Sequence, residues 1–228
     1  VTFNIYFISL IIYFEYIFYR FTKHYNYYSM RYFILLLLFL SYNLHSQDWM
    51  QIGQNITGEN ENDRLGLTVD INTDGTRVIV GIPFSDYNGY NSGQVGILDL
   101  ENQYNWNNFF ENGINGESWS DWAGEGVSLS SDGSTVAIGS SGFSENNDNG
   151  YVIGKVAVYR LNEDSFLGNS KRKLGCDIVG SSSNIYCGRN ISLNYDGQKM
   201  AIGSNGIIRV YQFIADDLPY TGLETCWG

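Results

Sequence analysis

The sequence predicts an all-β chain made of about three copies of a four-stranded unit, and its own repetition is the main reason. One stretch occurs three times: Val69-Asp70-Ile71-Asn72-Thr73-Asp74-Gly75 running into Val78-Ile79-Val80-Gly81, Val127 to Gly139, and Ile191 to Gly203. Each copy alternates apolar and polar residues, meets Asp-Gly, and continues as an unbroken apolar run. That pattern reads as a β-hairpin, with Gly at a turn position whose positive φ costs other residues roughly 1 kcal/mol or more. The second strand of each copy has no polar face and expects cover on both sides.

Landmarks around the hairpin keep the same order. Asp74, Asp132 and Asp196 are spaced by 58 and 64 residues, as are Ile56, Ile114 and Ile178, and Gly66, Gly124 and Gly188. A further strand follows each hairpin, at Gly93–Ile97, Gly154–Val158 and Gly206–Val210. Four short strands per repeat make one blade of a β-propeller. The repeats place the blades at about 47–104, 105–168 and 169–228, an incomplete propeller of about three blades.

Composition agrees. With 26 Gly, 18 Tyr, 2 Pro and only 16% charged residues, the chain suits tight turns and strands better than helices. A net charge of −11 argues against nucleic acid, whose phosphates need Lys and Arg, and fits an acidic surface that keeps an exported protein soluble.

Residues 1–46 are of another kind. Met30-Arg31, the apolar run Tyr32 to Leu40 and the polar Ser41 to Ser46 have the order of a secretory signal peptide, with cleavage expected before Gln47. The run is too short to span a bilayer unaided. Val1 to Ser29, rich in Tyr, Phe and Ile, reads as a leader upstream of a true start at Met30. The rival reading is a membrane segment from Phe3 to Tyr19, weakened by Glu15. Without these residues the chain loses His24 and His45, its only histidines, along with Arg20, Lys23, Arg31 and Glu15, leaving 10 basic against 23 acidic side chains. Ser-His-Asp triads, Cys-His dyads and His-ligated zinc are then excluded. Cys176, Cys187 and Cys226 are an odd set. Cys176 and Cys187 flank the first loop of the third repeat, where a local disulfide and a pair of small buried thiols are both open readings.

Within the repeats, Trp49 reads as part of an outer strand, its indole packed on a neighbouring blade, and Trp106 stands near the same place one repeat later. The first loop of the second repeat carries Trp119 and Trp122. Long polar loops, Phe84–Ser92 and Phe143–Val152, precede the fourth strand of the first two repeats. The third repeat has only Ser204-Asn205 there, and Lys171-Arg172-Lys173 in place of the Trp.

Leu65-Gly66 before one strand, and Gly81-Ile82-Pro83 ending the next, resemble the signatures of FG-GAP repeats, which build the propeller of integrin α-chains and of many bacterial surface proteins. The resemblance covers residues 48 to about 213. It implies a Ca²⁺ site at Asp70, Asn72 and Asp74, the residues with oxygens at every second position of the loop. Val78 stands where a later acid should close that site, and Ser128 and Ser192 replace Asp70 in the other copies, so a simple hairpin accounts for all three. Sialidase-type Asp turns do not match, because Gly133 follows Asp132 directly and no Trp follows.

The expected function is binding or adhesion at the cell surface or in a secreted protein, to a protein or glycan partner and without catalysis. The ligand-contacting residues are expected in the long loops: Asp86, Tyr87, Asn88 and Tyr90 in the first, Asn147 and Asp148 in the second. The alternative is a hydrolase or lyase that works with carboxylates such as Asp86, Glu117, Asp121, Glu125 or Asp148. Three blades leave outer faces uncovered where closure typically needs roughly 4–8. The sequence therefore implies the rest of a propeller in a longer chain, or self-association.

Overall fold

The structure, a computed structural model, describes residues 49–102, 105–107, 113–144, 152–161, 171–182 and 185–214, together with Tyr13, Tyr16, Tyr19 and Arg20. Those four N-terminal residues are helical and exposed and belong to a separate unit, Val1–Gln51. The signal-peptide segment 30–46 and most of Phe3–Tyr19 lie outside the described residues. Among the described residues no helix is long and apolar enough to cross a membrane.

The second unit, Ile52–Gly228, is all-β, with one 3-10 turn at Glu61–Asp63. Its first sheet contains β1 (Val69–Ile71), β2 (Arg77–Ile82) and β3 (Gln94–Asn102), with β4 (Asn105–Trp106) and β5 (Ile114–Asn115) both paired to β3. The second contains β6 (Ala123–Leu129), β7 (Thr135–Ser140) and β8 (Lys155–Leu161), with β9 (Lys171–Lys173) and β10 (Ile178–Val179) both paired to β8. The third contains β11 (Asn190–Leu193), β12 (Lys199–Ser204) and β13 (Ile207–Gln212). Every pairing within these sheets is antiparallel.

The three expected hairpins are present, each with a small polar lock. In the first, Asn72 donates its N–H to the Arg77 carbonyl at 3.1 Å and accepts the Arg77 N–H on Oδ1 at 2.9 Å. Ser130 with Thr135, and Asn194 with Lys199, repeat that exchange. Asp74, Asp132 and Asp196 each accept the N–H two residues on, at 2.9–3.0 Å. Glycine follows at φ 72°, 74° and 67°, the left-handed region that a turn of this shape requires.

The apolar strand β7 is covered from both sides, as its sequence requires, whereas β12 of the third copy is buried on one side only. In β7, Val136 and Ile138 pack with Ile79, Val95 and Ile97 of the first sheet. Ala137, between them and pointing the other way, packs with Met200 and Ile202 of the third. Each such Val or Ile contributes about 1.5–3 kcal/mol by leaving water, so this stacking is the main cohesion between sheets.

Sheets and repeats are out of phase. Trp106 and Ile114, read as opening the second repeat, pair with Leu100 and Val95 and so complete the first sheet. Ile178 completes the second sheet in the same way, against Val156. The sheets run from Val69 to Asn115, Ala123 to Val179 and Asn190 to Gln212, out of step with the repeats at 47–104, 105–168 and 169–228. The reading of Trp49 is corrected. It is fully exposed and in no strand.

The disulfide reading Cys176–Cys187 is overturned. Cys176 is disulfide-bonded, whereas Cys187 is a free, buried thiol. Cys187 lies beside Gly154 in a backbone bridge and packs in the apolar layer between the second and third sheets, so its thiol is committed to that core. Cys226 lies outside the described residues.

Candidate functional site

The long loop of the first repeat is tightly built. Asp86 accepts the Asn91 N–H on Oδ1 at 2.7 Å, Asn88 donates its N–H to Ser92 Oγ at 3.1 Å, and Gly93 donates to the Ser85 carbonyl at 2.9 Å. The loop is also tied to the first loop of the second repeat. Ser120 donates to the Tyr90 carbonyl at 2.9 Å, Trp122 to the Asn91 carbonyl at 3.2 Å, and Asn88 Nδ2 to the Gly116 carbonyl at 2.8 Å. Two loops far apart in sequence thus form one surface.

On that surface Tyr90 and Trp119 stack, ring centroids 6.0 Å apart and planes inclined by 34°. They are 59% and 50% exposed, and Tyr87 is 69% exposed. Large aromatics held open on a braced loop lack the core contacts that normally claim them, and they offer flat apolar faces rimmed by polar tips. Asn88 spends its amide on bracing the loop rather than on this surface. Asn147 and Asp148 lie outside the described residues.

Beside the loop is a cleft of about 200 Å³, lined by Glu59, Asn60, Asp63, Asp86, Tyr87 and Gln94 among others. Its origin can be read from the repeat. In the second sheet, Lys155 stands where Gln94 stands in the first, and Phe143 where Ser85 does. There Lys155 is buried, with Nζ 4.4 Å from the Phe143 ring centroid and in contact with Glu117, and 3.6 Å from Asp177. Lys173 adds a 2.8 Å ion pair to Asp177. With Ser85 and Gln94 in those two places, the first sheet leaves the space open. The cleft presents three carboxylates, and among the described residues no Lys or Arg side chain lines it.

The remaining carboxylates have structural partners. The hydrogen bond from Lys155, its charge and that of Lys173 hold Glu117 below its ordinary pKa, against the opposing effect of partial burial. Asp121 is almost fully buried and accepts the Ser118 N–H at 2.9 Å; burial raises its pKa, with the Lys155 charge opposing. Glu125 pairs with Arg189 at 2.9 Å and accepts the Ser141 hydroxyl, tying the second sheet to the third. Asp148 is outside the described residues.

Asp70, Asn72 and Asp74 have partners within the fold. Asp70 reaches to the second sheet, accepting Leu129 N–H at 2.8 Å and Ser128 Oγ at 3.2 Å, while Asn72 and Asp74 lock their turn. Hydrogen bonds from Thr76 lower the pKa of Asp74. Among the described residues no group of three or more His, Cys, Asp or Glu could hold a metal ion.

The sequence reading missed Glu59, Asp63 and Gln94 in the cleft and Trp119 on the platform. The signal for Trp119 was its place in a loop rather than a strand. For Gln94 and Ser85 it was their departure from Lys155 and Phe143.

No family model matches the chain, and no curated protein does. Among solved structures, it is similar to a candidate 6-phosphogluconolactonase from Bacteroides fragilis, at 15% identity and a TM-score of 0.42 over 69% of this chain and 36% of that one. It is also similar to the hydrazine synthase of Kuenenia stuttgartiensis, at 15% identity and a TM-score of 0.39 over 64% and 39%. The chain spans less than two fifths of either structure.

Proposed function

We propose that this chain is part of an exported β-propeller, its three sheets serving as blades, and that it binds a neutral glycan at the loop end of the first two without chemistry of its own. The exposed Tyr90–Trp119 platform beside the acidic cleft carries the reading. Aromatic faces suit the apolar faces of sugar rings, and Glu59, Asp63, Asp86 and Gln94 offer acceptors to hydroxyl groups. Uronic acids or sulfated sugars would meet like charge in the cleft, which disfavours them. The alternating hydropathy and stacking of the sheets support the propeller, and the n-, h- and c-region order of Met30 to Ser46 supports export.

A second reading, a carboxylate-dependent hydrolase or lyase, is favoured by the presence of three carboxylates in one cleft. One experiment separates the two. The purified chain is applied to immobilised laminarin, mannan, xyloglucan and alginate, and released sugar is measured alongside retention. Retention on neutral polymers without release supports the binding module. Release of reducing sugar supports the enzyme, and no retention on any neutral polymer contradicts the proposal.

A further inference from the structure

The first sheet docks on the second, and the second on the third, through one contact used twice. Asp70 accepts the N–H of Leu129, and one repeat later Ser128 accepts the N–H of Leu193 at 3.0 Å. Around this tie the row Ser128–Ala137–Val158 of the second sheet, set by strand register, is buried against the third. The third sheet carries the same row at the same register, Ser192–Ala201–Val210, on its far side. There Val210 is 73% and Ile208 78% exposed, where Val158 and Val156 are 1% and 0%.

The other half of the contact stands open on the first sheet. Val69 and Ile71 are 64% and 55% exposed, whereas Val127 and Leu129, at the same places in the second sheet, are buried. The N–H of Ile71, counterpart of Leu129 and Leu193, turns to its own neighbour, Asp70 Oδ1, at 2.9 Å.

Close backbone approaches repeat the pattern. A Cβ at Gly81 would collide with the Gly124 carbonyl, and one at Gly139 with the Gly188 carbonyl; at Gly203 it would meet nothing nearer than Asn190 Cβ, at 3.2 Å. Gly93 and Gly154 are pressed on Ala123 and Cys187, yet Gly206 has nothing within 4 Å of a would-be Cβ. Gly66 likewise has nothing within 4 Å, while its counterparts Gly124 and Gly188 are wedged against the neighbouring sheet. Ile114–Asn115 pairs with β3 and Ile178–Val179 with β8, but Ile56 and Thr57 belong to no strand and β13 has no outer strand among the described residues. Among the described residues, positions shaped for contact are thus left open in complementary sets at the two ends of the array.

We propose that a second copy of this chain fills them, head to tail. In this arrangement Ile56–Thr57 of one copy adds antiparallel to Ile207–Ile208 of the other, Leu65 seats beside Gly206 and Gly66 beside Gly203, and the Ser192 hydroxyl accepts the Ile71 N–H. Two copies of three sheets bring six together, within the roughly 4–8 that close a ring. The occupant is a second copy because both halves of the contact are carried, in register, by this one chain. The inference stands on sheet geometry and is independent of glycan binding.

The test is sedimentation velocity of the full chain over a wide concentration range, at physiological ionic strength because each copy carries a net charge of −11. Ile208→Glu changes an exposed side chain and leaves the sheet intact; Gly203→Val places a side chain where the partner's backbone belongs. Circular dichroism checks that each variant retains the fold. The expected result is a dimer, with both substitutions weakening association about tenfold or more. A strictly monomeric wild type, or an assembly that neither substitution weakens, would overturn the proposal.

Discussion

Asp70 accepts the backbone N–H of Leu129 at 2.8 Å, so a carboxylate on the edge strand of one sheet satisfies a donor on the edge strand of the next. Ser128 does the same for Leu193. A mutation that removes the acceptor leaves a part-buried N–H unpaired, at a cost of about 1–3 kcal/mol. Asp70→Ala is expected to lose that much in urea unfolding. Asp70→Ser is expected to recover most of it, since serine performs this task at position 128. Equal losses in both variants would show that the tie is not what Asp70 supplies.

Lys155 is buried among Glu117, Asp177 and the Phe143 ring. Lys155→Ala leaves two carboxylates facing a cavity and is expected to cost about 3 kcal/mol, the low end for breaking a buried pair because Glu117 is half exposed. Lys155→Met fills the space and is expected to cost less. A larger loss for Met than for Ala, in the same denaturant titration, would contradict this account of the cluster.

Asp121 supplies a pH dependence of definite sign. Burial raises its pKa in the fold above the unfolded value of about 3.9. Its contribution to stability is therefore fully present below that unfolded value and is lost as pH rises through the folded one. Asp121→Asn lacks this loss. Measured from acid to neutral pH, the stability of the variant relative to wild type is expected to rise. A difference that stays flat with pH would argue that Asp121 is not held by burial.

Cys187 is buried and free, with its pKa raised by desolvation, and Cys176 is disulfide-bonded. Thiol labelling is expected to be slow in the native chain. Labelling after unfolding without reductant is expected to mark Cys187 and not Cys176, as peptide mapping would show.

The parts of this fold legible in sequence were those written three times. The Asp-Gly hairpins and the apolar strands that follow them are set by local pattern, because turn geometry and strand period act on neighbouring residues, although the third such strand is buried on one side only. The phase of the outer strands was not legible. Whether Trp106 completes its own sheet or the one before depends on pairing with Leu100, a partner that periodicity does not name. The tie from Asp70 to Leu129, 59 residues away, was not legible either, because no local pattern names that partner. The long loop was correctly singled out as surface, with Tyr87 and Tyr90 exposed. Its meeting with Trp119 needed the third dimension, since the two rings come from separate loops that hydrogen bonds such as Ser120 N–H to the Tyr90 carbonyl bring together.

The glycan-binding surface is tested most directly by isothermal titration of laminarin, mannan or xyloglucan, whichever the chain retains, into wild type, Tyr90→Ala and Trp119→Ala. Both side chains are exposed, so the variants are expected to melt as wild type does. Each is expected to lose about 1–2 kcal/mol of binding, roughly five- to thirtyfold in Kd, with alginate binding none of the three. Unchanged affinity in both variants, or alginate bound as tightly as the neutral polymer, would contradict the account.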